Sequence, residues 1–139
     1  MFKKILLPID LTDRHQQAVD AAIDLARQSG GDVVLLHVIE VIAGSSLEEE
    51  KDFYGRLEKM ARKHLGKIGK HLQAQKVSWQ TEIAYGQRGP EVVRYADNAA
   101  ADLIVLTAPR LDPNNLAIGW GSLSYKISLL ARCPVMLVK

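Results

Sequence analysis

The sequence has a single cysteine, Cys133, among 139 residues. One thiol excludes an intramolecular disulfide and any metal site built from several cysteines. Net charge is scarce too: 18 lysines and arginines against 16 aspartates and glutamates leave +2 at neutral pH. The cations are scattered along the chain, which argues against nucleic acid or an anionic membrane as the principal partner. Long hydrophobic runs are also missing. The apolar stretch behind Met1-Phe2-Lys3-Lys4 covers only Ile5 to Ile9, far below the ~20 residues that span a bilayer, and nothing has the form of a signal peptide. The expected compartment is the cytosol. With no repeat, low-complexity tract or interdomain linker, residues 1–139 read as one domain, long enough for a substantial core.

Most signatures of nucleotide chemistry and catalysis are absent as well. No GxxxxGK[ST] occurs, so there is no P-loop. Gly119-Trp120-Gly121-Ser122-Leu123-Ser124 matches half of a dinucleotide fingerprint but lacks its third glycine. Ser29-Gly30-Gly31-Asp32 looks like the SGG-D loop of pyrophosphate-cleaving ATP enzymes, yet it falls between a helix and a strand, where paired glycines cap the helix. The histidines, His15, His37, His64 and His71, stand on different elements without ligand spacing. No Ser/His/Asp arrangement and no carboxylate pair emerges, so the sequence offers neither a catalytic residue nor a metal site. His37 reads as a hydrogen-bonded core histidine, His64 as a packed helix residue and Cys133 as a small buried side chain.

What is present is an alternation of two periodicities. Residues 5–10 (ILLPID), 33–39 (VVLLHVI), 103–108 (LIVLTA) and 134–138 (PVMLV) are short apolar runs, as in strands of a parallel sheet covered on both faces. Residues 77–85 instead alternate apolar with polar side chains, which suits an edge strand. Between the strands lie helical stripes. The spacing predicts a helix over 13–29, opened by a capping box from Asp13 to Gln16 and closed by Gly30-Gly31. A second covers about 46–75, capped by Ser46. A third covers 90–100 with Pro90 at its first position, and a fourth covers 122–131 with Ser122 as N-cap. The order β-α-β-α-β-α-β-α-β argues an open α/β sheet with helices on both faces.

In such folds ligands bind beyond the carboxyl ends of strands, where the winding direction reverses. Strand one ends in Pro8-Ile9-Asp10 and strand two in His37-Val38-Ile39-Glu40. Asp10 is the best functional candidate among the acids, placed to accept from a ribose hydroxyl. It is equally well explained as a turn or cap residue bonding the amides of Thr12 and Asp13.

The stretches KKILLPIDLT, VVLLHVIE, ADLIVLTAP and GSLSYKISLLARCPVMLVK together resemble the universal stress protein family over essentially the whole chain. The resemblance implies a flavodoxin-like, Rossmann-like sheet of five parallel strands in the order 3-2-1-4-5. It also implies a homodimer paired through the last strands, here Pro134, Val135, Met136, Leu137 and Val138. An uninterrupted apolar edge strand invites such pairing on physical grounds as well. By the same resemblance Pro8, Ile9, Asp10 and Val38 match positions lining adenine and ribose.

Nucleotide-binding members carry G-x2-G-x9-G-[ST] after strand four. Counting back from Gly121-Ser122, the earlier glycine positions fall on Ala108 and Leu111. Gly121, Ser122, Leu123 and Ser124 keep the second half of a phosphate cradle at a helix N-terminus. Arg110 stands at an x position, either as a cationic phosphate contact or as an exposed loop arginine. Leu111 sets a bulky side chain where backbone would approach phosphate. The resemblance therefore implies ATP, with magnesium, bound weakly or not at all. The chain reads as a cytosolic stress-response homodimer acting through protein interactions. The alternative is an adenine-nucleotide switch in the cleft between strands one and four.

Overall fold

The computed structural model describes residues 1–109, 113–114 and 122–139. Its elements are β1 (Lys4–Pro8), α1 (Gln16–Ser29), β2 (Asp32–Ile39), α2 (Lys51–Ala74), β3 (Ser78–Tyr85), α3 (Arg88–Asn98), β4 (Leu103–Thr107), α4 (Leu123–Leu130) and β5 (Val135–Val138). The strands form one parallel sheet in the order β3-β2-β1-β4-β5, the expected order with β3 and β5 at its edges.

Because successive strand residues face opposite ways, each strand feeds two cores. Ile5, Leu7, Val33, Leu35, Leu103 and Val105 pack with Ala18, Val19, Ala22 and Ile23 of α1 and Leu65 and Leu72 of α2. Leu6, Val34, Leu36, Val38, Ile104 and Leu106 pack with Val92 and Ala96 of α3 and Ile127 of α4. This is why the strands read as continuous apolar runs. At the amino end of the sheet the Asp102 carboxylate accepts from the amides of Lys3 at 2.7 Å and Lys4 at 3.1 Å. At the end of α1, Gly30 takes φ 71° as a left-handed C-cap, and a Cβ on Gly31 would lie 2.6 Å from the Phe2 carbonyl oxygen. Glycine is required there, as the paired-glycine reading expects.

Several element ends differ from expectation, each for a local reason. β1 closes at Pro8 rather than residue 10, because Asp10 turns back to accept from Thr12. The capping box expected from Asp13 does not form: α1 begins at Gln16 behind His15, which makes no side-chain cap, and Gln16 bonds Asp20 instead. Ser46 Oγ does accept from the Glu49 amide at 3.0 Å, but that turn precedes α2, which starts at Lys51. Pro90 is the third residue of α3, not the first, still within the turn whose amides lack helical acceptors. Ser122 is the N-cap of α4 as expected, accepting from the Tyr125 amide at 3.2 Å.

Candidate functional site

β1 keeps company with β2 along its whole length, from Lys4↔Asp32 to Pro8↔Leu36, and Ile9 N still donates to Leu36 O at 2.8 Å. Its ladder with β4 covers only Ile5↔Leu103 and Leu6↔Ile104. Meanwhile β4 runs on beside β5 as far as Thr107↔Val138. The two central strands therefore part at their carboxyl ends, where the crossovers switch from one face of the sheet to the other. A cavity of about 70 Å³ opens in the gap, lined by Pro8, Ile9, Leu36, Val38, Leu106 and Leu123 among apolar residues and by Asp10, His15, Arg88, Thr107 and Ser124 among polar ones. Beyond it lie two shallower recesses that share Arg88. One, of about 510 Å³, is bounded by Asp10, Leu11, Val38, Ile39 and Leu57. The other, of about 540 Å³, is bounded by Glu40, Gln87, Gly89, Leu123 and Lys126.

Asp10 anchors the rim. Its Oδ1 accepts from the Thr12 amide at 2.9 Å and the Thr12 hydroxyl at 2.5 Å, and Oδ2 pairs with Arg14 at 3.1 Å. Burial alone would raise this carboxyl, but the Thr12 bonds, with the bond and charge of His15, hold it well below the usual carboxylate range. An ionised carboxylate only accepts. His15 Nε2, 2.7 Å from Asp10 Oδ1, must then carry the hydrogen, although it also lies 3.3 Å from the Asp10 amide. The other ring nitrogen, Nδ1, sits 2.7 Å from Thr107 Oγ1 and in the neutral imidazole accepts from that hydroxyl. The His15 side chain is only 7% exposed and Asp10 22%. Asp10, His15 and Thr107 thus form a hydrogen-bonded chain that bridges the parted strands.

The remaining histidine of the cleft, His37, donates from Nδ1 to Ile9 O at 2.7 Å. Burial pushes its pKa down, the Ile9 carbonyl opposes that, and the Arg88 charge adds to the lowering. It is the core histidine expected. His64 packs on α2 as expected, with its buried Nε2 unbonded among the described residues.

The structure brings Pro8, Ile9, Asp10, Val38, Leu123 and Ser124 to one cavity, six of the residues singled out from sequence. Ser124 Oγ reaches Thr107 O at 3.4 Å. Ala108 follows Thr107 and spends its amide on Val138 O at 2.7 Å, and Ser122 caps α4 from just outside the cavity lining. Arg110, Leu111 and Gly121 lie outside the described residues. Sequence reasoning missed His15, Thr107 and Arg88. The sequence suggested no Ser/His/Asp arrangement; the structure sets His15 2.7 Å from both Asp10 and the Thr107 hydroxyl. The available signals were faint: a histidine five residues after Asp10, and a lone hydroxyl ending the LIVLT run.

The model of the universal stress protein family matches residues 1–139. The chain belongs to that family. Among curated relatives it is 31% identical to universal stress protein YxiE of Bacillus subtilis, with all of both chains covered. Among solved structures it is similar to the hypothetical protein MJ0577, at 26% identity and a TM-score of 0.83, covering 100% of this chain and 96% of that one. A universal stress protein from Archaeoglobus fulgidus solved in complex with dAMP shares the fold at 20% identity and a TM-score of 0.75, with both chains fully covered. Among the described residues of this universal stress protein, no helix is long and apolar enough to cross a membrane.

Proposed function

We propose that the protein binds an adenine nucleotide, weakly, in the cleft between β1 and β4. One observation carries this reading: the parted strands leave a concavity with an apolar floor (Val38, Ile39, Leu11, Leu57) and a few convergent polar groups (Asp10, Arg88, Thr107, Ser124). That is the make-up of a small-molecule site at a topological switch point. The apolar recess suits a purine, while the first turn of α4 at Leu123 and Ser124, with Arg88 and Lys126, suits phosphate. The dAMP complex of the relative from Archaeoglobus fulgidus supports the ligand class. Affinity is weak because the Asp10 carboxylate is already engaged by Thr12, Arg14 and His15; a ribose hydroxyl must compete with those partners. The described residues contain no group of three metal-ligating side chains, so magnesium would arrive with the phosphates of ATP. A thermal melt with millimolar Mg-ATP, AMP and GTP tests this. Ligand at ~100 times its dissociation constant adds ~2.7 kcal/mol of stability. An adenine-selective rise in Tm is the expected result, and no shift, or an equal one with GTP, would sink the proposal.

A second proposal rests on β5. Among the described residues this strand pairs on one side only, with β4, and Leu137 is 46% exposed, with Leu129 and Leu130 more exposed on the adjoining α4. An apolar open edge is a template for strand pairing, which favours a homodimer through Val135–Val138 and an outer surface for protein partners of a stress response. Sedimentation should give a dimer at micromolar concentration, and Leu137→Lys should shift it to monomer. A wild-type monomer would rule the pairing out.

A further inference from the structure

The Asp10–His15–Thr107 chain has the connectivity of a nucleophile, a base and the acid that orients the base. We propose that Thr107 is a nucleophile for acyl transfer and that the protein hydrolyses small activated esters. The proposal goes beyond nucleotide binding and does not rest on it.

Four observations on one site converge. Thr107 Oγ1 lies 2.7 Å from His15 Nδ1, within the reach a general base needs. Asp10 Oδ1 lies 2.7 Å from His15 Nε2; in the neutral ring a hydrogen held there by the carboxylate leaves Nδ1 able to accept a proton. Thr107 also borders the 70 Å³ cavity, whose walls include Leu36, Val38, Val92, Leu106 and Leu123. Its apolar walls suit a small acyl group beside the Thr107 hydroxyl. Ser124 Oγ, 3.4 Å from the Thr107 carbonyl, sets the first turn of α4 against the same residue.

The step balances with water as the only co-reactant. Thr107 Oγ bonds to the ester carbonyl carbon as its proton passes to His15 Nδ1, and the carbonyl electron pair moves onto oxygen. Collapse restores the carbonyl and expels the alcohol or phenolate, which takes the proton from His15. Water then attacks the acyl-threonine ester, gives one proton to His15 and restores the Thr107 hydroxyl as the carboxylic acid leaves. Asp10 touches no reacting atom and is a positioning residue.

The test uses the full chain with p-nitrophenyl acetate. A burst of p-nitrophenolate approaching one equivalent per chain, with one acetyl group mapped to Thr107 by peptide mass spectrometry, is the expected result. Thr107→Val should abolish the mapped adduct, while Thr107→Ser, which keeps the hydroxyl, should still take up acetyl at that position. His15→Gln should slow the burst by about 10²- to 10⁴-fold, the usual contribution of a general base. Asp10→Asn, which reverses the favoured imidazole tautomer, should slow it too and alter its pH profile. Thermal melts establish which variants are folded; should Thr107→Val not fold, the Thr107→Ser and Asp10→Asn arms decide. Acetyl found only on lysines, or equal rates in wild type and Thr107→Val or Asp10→Asn, would overturn the assignment. AMP should compete with the ester for the cleft. Loss of that competition with the Thr107 adduct intact would count against the nucleotide proposal and leave this one standing.

Discussion

Helix α2 carries three glycines, Gly55, Gly66 and Gly69, and the structure predicts opposite outcomes for the same substitution at two of them. A Cβ built on Gly66 meets nothing within 4 Å. Gly66→Ala should therefore gain the helix-propensity difference alone, about 0.5–1 kcal/mol. A Cβ built on Gly69 would lie 2.2 Å from Cζ3 of Trp79 and 2.5 Å from Cε3 and Cη2. Carbon pairs prefer ~3.5–4.0 Å, so the ring or the helix must move by more than an ångström. Overpacking costs about 1–3 kcal/mol, and this overlap belongs at the upper end because Trp79 packs against the α1–α2 core. Setting the same propensity gain against it leaves Gly69→Ala destabilised by about 1–2 kcal/mol. The two variants should differ by about 2–3 kcal/mol, or roughly 6–12 °C in Tm for a domain of this size. Thermal melts followed by circular dichroism measure this directly, and Gly69→Ala in a Trp79→Leu background should recover most of the loss. If Gly69→Ala melts at or above Gly66→Ala, Trp79 is not held where the structure puts it, and the packing of β3 against α2 has been misread.

Three further outcomes are expected. Ser122→Ala removes the hydroxyl that accepts from Tyr125 N and should cost about 1 kcal/mol, read from urea midpoints. Tyr54→Phe deletes the hydroxyl bonded to Ile42 N at 2.9 Å and Ser45 at 2.7 Å, so limited proteolysis should cut within 41–46 sooner than in wild type. Acidification should destabilise the protein in two stages. His37 has a lowered folded pKa, so the unfolded chain gains the extra proton and stability falls as pH drops below ~6.5. Asp10 is held low in the fold, so its contribution is complete above ~3.9 and is lost as pH falls further. Urea midpoints across pH 7 to 3 should flatten in the first stage for His37→Gln and in the second for Asp10→Asn.

The sheet was legible in the sequence because double-sided burial leaves an unmistakable mark. Runs such as Val33 to Ile39 carry apolar side chains on both faces, and only a sheet between two helical layers requires that. The half-wet alternation from Ser78 to Tyr85 likewise marked β3 as an edge. Helix starts were less legible, since their caps depend on distant partners. Asp13 and Gln16 have the spacing of a capping box, but His15 is drawn toward Asp10 and Thr107, and the helix begins behind it. The same long-range contact explains the missed part of the site. Thr107 stands 92 residues from His15, and no local periodicity encodes a hydrogen bond across a parted pair of strands. Arg88 sits in an ordinary turn sequence and gains meaning only when β2 and β3 deliver it to the cleft mouth.

The parting of β1 from β4 after Leu6 and Ile104 has a consequence for how this protein tolerates change. The hollow is produced by main-chain connectivity: one strand follows its neighbour to the left while the other follows its neighbour to the right. Side chains on the rim decorate the opening but do not create it. Replacing a lining residue can retune what enters, yet the opening persists as long as the ladders on either side hold. Substitutions that would abolish the hollow are those that weaken β1 against β2 or β4 against β5, and these lie in the hydrophobic interior, remote from any ligand. The shape of the hollow and the chemistry of its lining are thus set by different residues.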